Sequence, residues 1–199
     1  MSTANQIKNT KILPKDYVQY HVVDLKNDKK TALAIQGIFL IIAGLMVFIA
    51  IHFQLPIKND VPVFFRVIIT LSFIFVYMIV HELTHGAMIR ILSKSKPVYG
   101  IRIPYLYTGS LHYYTKFSFI IILLAPVVIW GLIIMFSLFF IPDSLFMSLY
   151  IVLALNFAGS SGDYVQAYQM KHLPKDVLIQ DDGKNTSYYV KKTFIDTNR

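Results

Sequence analysis

The sequence predicts an all-α polytopic membrane protein: four transmembrane helices, both termini in the cytoplasm, and small cytoplasmic β-hairpin elements. Three observations predict it. Hydrophobic residues make up 55% of the 199 residues and charged residues only 15%, with a mean hydropathy of +0.54, which leaves too little polar surface to wrap a soluble helical core. Apolar runs recur four times, each close to the roughly 20 residues a helix needs to cross ~30 Å of hydrocarbon. Cations cluster in alternate connecting segments, which orients the chain in the bilayer.

The elements follow in order. Residues 1–31 are polar and carry six lysines, so they read as a cytoplasmic N-terminal segment. No cleavable signal is expected, because the first apolar run is long enough to stay in the membrane. Residues 32–170 form the expected membrane domain, with spans at about 32–53, 61–80, 117–141 and 145–167. Arg66 in the second span lies about a turn inside its outer end and can snorkel outward. Pro126 in the third span is tolerable in a packed membrane helix. The connection after span one has Lys58 balanced by Asp60, and the turn at Pro142-Asp143 has no cation. Arg90, Lys94, Lys96, Arg102 and Lys116 by contrast occupy the long connection after span two. The positive-inside rule therefore puts that connection, and the tail at 171–199, in the cytoplasm. The net charge of +8 is accounted for by this topology, and no nucleic-acid partner is expected. The chain has no cysteine, so disulfides and thiolate metal ligands are excluded.

Two tracts read as β-hairpins. Lys96–Lys116 is rich in tyrosine and β-branched residues, with Gly109-Ser110 as a candidate turn. Its tyrosines suit an interfacial belt, and one of its edges could pair with an extended peptide. In the tail, Asp182-Gly183 separates two β-prone runs, which makes Asp181 and Asp182 turn residues rather than metal ligands.

The chemistry is concentrated in "IVHELTHGA", Ile79–Ala87. Histidines four residues apart on a helix share a face, so the imidazoles of His81 and His85 can reach one ion. A glutamate between them can take a proton from the attacking water. Glu82 is also the only glutamate in the chain, the other ten acids being aspartates. Polar groups at membrane depth are costly and therefore point to function. Catalytic zinc takes three protein ligands, but the metzincin position six residues after His85 is Ile91, and no second glutamate exists. An aspartate, another histidine or a less usual group must complete the set.

Depth narrows the choice. His81 lies 20 residues into an inward-running span, ~30 Å at 1.5 Å per residue; Asp163 lies 18 residues into another, ~27 Å. Asp163 is therefore the expected third ligand, with His112, just before span three, as the weaker alternative. Asn156 lies nearly two turns before Asp163. It could orient a ligand, donate to an oxyanion, bind substrate backbone, or make an interhelical hydrogen bond. Gly159, Ser160, Ser161 and Gly162 allow close helix approach or a local unwinding between the two.

"HELTHG" ending one apolar helix, with "NFAGSSGD" near the cytoplasmic end of a later one, resembles site-two-protease-type intramembrane zinc metalloproteases. The sequence resembles more closely the small bacterial membrane proteins classed as zincin peptidases, including the "LLAP" of Leu123–Pro126. The resemblance implies a Zn2+ cofactor held by His81, His85 and Asp163, and Glu82 as general base. Asn156 would match the asparagine upstream of the metal-binding aspartate. Gly-Ser-Ser-Gly-Asp-Tyr here replaces the proline-rich segment ending in Leu-Asp-Gly. The expected function is a multi-pass zinc metalloprotease of the bacterial plasma membrane. It would cut transmembrane or membrane-associated peptides near the cytoplasmic face of the lipid bilayer. The rival class is a non-catalytic zinc-binding membrane scaffold or binding protein. A metal transporter is disfavoured by the scarcity of polar residues at mid-membrane.

Overall fold

A computed structural model describes residues 8–24, 28–56, 61–102 and 105–197. The first strand, β1 (Tyr17–Asp24), precedes α1 (Lys29–His52) and the long α2 (Val63–Ser93). A hairpin of β2 (Val98–Arg102) and β3 (Tyr105–Thr115) leads directly into α3 (Lys116–Ser137). Then come α4 (Asp143–Gly159), α5 (Ser161–Gln169), a 3-10 turn at Met170–His172, β4 (Leu178–Asp181), β5 (Asn185–Lys191) and α6 (Lys192–Thr197).

Among the described residues, four helical segments are long and apolar enough to cross a membrane: Lys29–His52, Val63–Ser93, Lys116–Ser137 and Asp143–His172. Local chemistry sets their starts. Asp28 caps α1, its carboxylate accepting from the Lys30 amide at 3.1 Å and the Thr31 hydroxyl at 2.6 Å. Thr115 caps α3 by accepting from the Ser118 amide. At the far end of α2, Lys94 adopts a left-handed conformation with φ 54°, a common way to stop a helix. The motif therefore does not end its helix: α2 continues well past Val80. At 1.5 Å per residue its 31 residues reach ~46 Å, longer than ~30 Å of hydrocarbon.

The all-α expectation is incomplete. Among the described residues, five strands form one antiparallel sheet in the order β1-β5-β4-β3-β2. Both expected hairpins exist, but neither stands alone, because a two-stranded hairpin is marginal by itself. β3 pairs with β4 and joins them, and β1 from the N-terminal segment covers the outer edge of β5. The first hairpin also reverses elsewhere than expected. Arg102 pairs with Tyr105, so Gly109 and Ser110 lie within β3, opposite Val98 and Asp181. Gly109 is needed there because a Cβ would collide with the backbone of Asp182 and Gly183. The second hairpin turns at Asp182-Gly183 as expected, Gly183 at φ +84° and Asp182 Oδ1 accepting from the Lys184 and Asn185 amides.

Two larger apolar cores result, beside a small cluster of Tyr17, Leu178 and Tyr189 within the sheet. One lies within the helices around Met46, Tyr77, Ile134, Tyr150 and Leu153. The other, around Ile89, Tyr114, Phe119, Ile122, Ile179 and Tyr188, joins helix ends to the sheet. On α2, Tyr77 belongs to the first core and Ile89 to the second. His81 and His85 lie on the stretch between them.

Candidate metal centre

Helix α2 packs on α3, α4 and β3, while α5 packs on α1 and α3. This arrangement brings His81 and His85 of α2 to Asp163, in the first turn of α5. The fourth apolar segment is not one unbroken helix: α4 stops at Gly159, and α5 restarts after Ser160, at φ −76° and ψ 10°. Ser160 is buried, and its hydroxyl donates back to the Asn156 carbonyl at 2.9 Å. The break falls between Asn156 and Asp163, and the Tyr164 amide still donates across it to the Ser160 carbonyl at 3.1 Å.

The two Nε2 atoms lie 3.2 Å apart. Asp163 Oδ2 is 3.7 Å from His81 Nε2, and Oδ1 is 3.7 Å from His85 Nε2, too long for hydrogen bonds. Ligands at 2.0–2.1 Å from a tetrahedral zinc stand about 3.3 Å apart, so the three edges suit one ion. Among the described residues these are the acids and histidines that cluster within metal-binding reach. His112 is outside this group; it lies on β3, its amide bonded to Ser110 Oγ.

Hydrogen bonds around the site assign the imidazole protons. His85 Nδ1 faces the Ile122 carbonyl oxygen at 2.8 Å; a carbonyl only accepts, so Nδ1 carries the proton. Tyr77 donates its hydroxyl proton to Asn156 Oδ1 at 3.0 Å. It must then accept at its other contact, from His81 Nδ1 at 2.9 Å. Both Nε2 lone pairs thus point into the same space with a carboxylate. In their neutral forms the two imidazoles, with the carboxylate, offer three lone pairs to one cation, and zinc fits that donor set.

Asn156 is fully buried, and its Nδ2 donates to the Val127 carbonyl at 3.1 Å. The structure thus commits both ends of its amide to the network behind His81 rather than to the substrate side. Glu82 lines the cavities that reach the centre, together with Leu106 of β3. The Thr108 hydroxyl donates to Glu82 Oε2 at 2.7 Å and also lies 3.0 Å from the Glu82 carbonyl oxygen. Thr84 serves packing: its hydroxyl accepts from the Trp130 indole of α3 at 2.9 Å. Gly86 leaves room for the Tyr99 hydroxyl of β2, which a Cβ would strike.

Sequence reasoning missed Tyr77, Thr108 and the Ile122 carbonyl. Tyr77 was within reach, four residues before His81 and so on the same helix face. Thr108 arrives through strand pairing, and no local pattern marks it.

Two imidazoles and a carboxylate around a cation-sized space, with a glutamate beside them, define a centre of the zincin type. The chain belongs to the family described as "Putative zincin peptidase", whose family model matches residues 74–178, and zinc is the metal that membership implies. That span contains all three clustered residues and Glu82. No curated protein and no solved structure matches the chain.

Proposed function

We propose that the protein is a membrane-embedded zinc metallopeptidase that hydrolyses peptide bonds of transmembrane or membrane-associated substrates near the cytoplasmic face of the bacterial plasma membrane. The observation that carries this reading is the convergence of His81 Nε2, His85 Nε2 and Asp163 at 3.2–3.7 Å, between helices apolar enough to span a bilayer. Both termini and the sheet belong on the cytoplasmic side, where the cations concentrate.

When bound, zinc polarises the scissile carbonyl and acidifies water at the site. The chain's own groups do the rest. His81 and His85 present unprotonated Nε2 atoms, while Glu82 accepts the proton of the attacking water and delivers it to the leaving amine. Thr108 holds the Glu82 carboxylate toward the cavity. That cavity, of about 510 Å³, lies between α1, α2, α5, Leu106 and the Gly183-Lys184 turn, and Glu82, His81 and Asp163 line it.

Peptide bonds are cut in extended chains, because a helix hides its own amides. Strand β4 ends at Asp181 opposite Ser110, so Tyr105–Gly109 of β3 is paired on the β2 side alone. Leu106 and Thr108 of that segment share a cavity with Glu82. An extended substrate is read as docking along this hairpin. Prolines at alternating positions from Ile101 to Tyr107 should lower cleavage wherever they remove a docking amide. Unchanged cleavage for every one of them rules out docking there.

The decisive experiment measures zinc content and cleavage of a membrane-peptide library by the full chain in proteoliposomes. Glu82→Gln should keep zinc and lose about 10²–10⁴-fold in rate, and Asp163→Ala should bind zinc poorly. Full activity in Glu82→Gln overturns the mechanism. Zinc retained without cleavage of any library member would favour a zinc-binding scaffold instead.

A further inference from the structure

Helix α3 supplies no ligand, yet the hydrogen bonds behind both imidazoles end on its backbone. His85 Nδ1–H reaches the Ile122 carbonyl directly at 2.8 Å. His81 reaches the Val127 carbonyl through Tyr77 and Asn156, in steps of 2.9, 3.0 and 3.1 Å. Helix carbonyls are ordinarily taken, each by the amide four residues on. At Ile122 that residue is Pro126, which lies inside α3 and is fully buried. Proline has no N–H, and its ring crowds the carbonyl four residues back. The Ile122 oxygen is therefore left without its helical donor, at the place where His85 needs an acceptor.

From this geometry we infer that Pro126 is a positioning residue of the metal centre: by vacating the Ile122 carbonyl it creates the acceptor that orients His85 and keeps its Nε2 free for metal. Gly131 has the parallel role one step further along. A Cβ there would stand 3.2 Å from Asn156 Nδ2, crowding the amide that ties the His81 chain to Val127. Both residues are apolar and chemically inert: Pro126 acts through a carbonyl it leaves without a donor, Gly131 through the space it leaves for an amide. Outer-shell partners of this kind set ligand orientation and typically change metal affinity 10–100-fold when lost. The inference rests on the zinc-centre reading above.

The test compares zinc affinity, by chelator competition, with thermal stability of the metal-free protein, for the full chain in detergent. In Pro126→Ala a restored amide recaptures the Ile122 oxygen. Zinc affinity should fall about 10–100-fold while metal-free stability holds or rises. Gly131→Ala should show a smaller fall. A proline that serves only helix shape predicts the opposite pairing, lower stability with unchanged affinity, and that result overturns the inference. If Pro126→Ala does not fold, the wild type decides: nitrogen-15 NMR of the metal-free protein should show His85 protonated at Nδ1, and protonation at Nε2 overturns the inference. Wild type that binds no zinc, or binds it equally with His85→Ala, instead sinks the zinc-centre reading and the inference with it.

Discussion

The helices and the sheet hold different parts of the centre, and they hold them differently. On the helical side, hydrogen bonds that end on α3 carbonyls back both imidazoles, directly for His85 and through Tyr77 and a fully buried Asn156 for His81. On the sheet side, Glu82 is held by one threonine on a stretch of β3 paired with a single neighbour. Helices satisfy their backbone groups internally and pack without needing to move. A strand with an open side has spare amides and can accept another chain. On the proposed reading, the difference teaches that metal retention and proton transfer are anchored in separate layers. The part proposed to hold metal sits in the core, and the part proposed to meet substrate sits on an open strand.

Crossed substitutions test that separation, since each removes one hydroxyl. Tyr77→Phe takes the acceptor from His81 Nδ1 and should weaken zinc binding about 10–100-fold, with the effect seen directly in chelator titration. Thr108→Val removes the donor to Glu82 and should leave zinc affinity unchanged. Cleavage at saturating zinc should drop about tenfold, because a carboxylate free to swing is aimed less often at the water. If Thr108→Val costs as much zinc affinity as Tyr77→Phe, the two layers are not independent.

Much of this was legible in the chain and part was not, for physical reasons. Apolar runs mark membrane-length helices by composition alone. The meeting of His81 and Asp163 could be foreseen by counting rise per residue along two inward-running segments. The end of α2 was misread at Val80, because the polar motif looks like a helix boundary while its backbone simply continues on inward-facing residues such as His85 and Ile89. The sheet escaped notice because its pairings are remote, with Tyr17 opposite Lys191 and Thr115 opposite Leu178, and no local period encodes a partner that far away. The acceptor for His85 escaped for another reason. It is a backbone atom, visible only as the carbonyl four residues before a proline.

Asp181 carries the comparison into pH, with the smallest expected effect. It ends β4, Oδ1 accepting from the Gly183 amide at 2.7 Å and Oδ2 from the Thr186 hydroxyl at 3.3 Å. Burial outweighs those bonds and pushes its carboxyl up to about 7. An unfolded aspartate titrates near ~3.9, so the folded sheet favours the protonated acid. The sign follows: this contribution to stability is fully present below about pH 4 and is lost as pH rises through about 7. Melting temperatures of wild type and Asp181→Asn, taken from pH 5 to 8, should diverge in one direction. The variant should gain on wild type as pH rises, since the amide keeps an acceptor for Gly183 and never ionises. Parallel curves would show that no proton leaves Asp181 in this range. Divergence that vanishes in a variant lacking Thr108, on the neighbouring strand, would instead tie the sheet's titration to the hold on Glu82 and join the two layers the structure keeps apart.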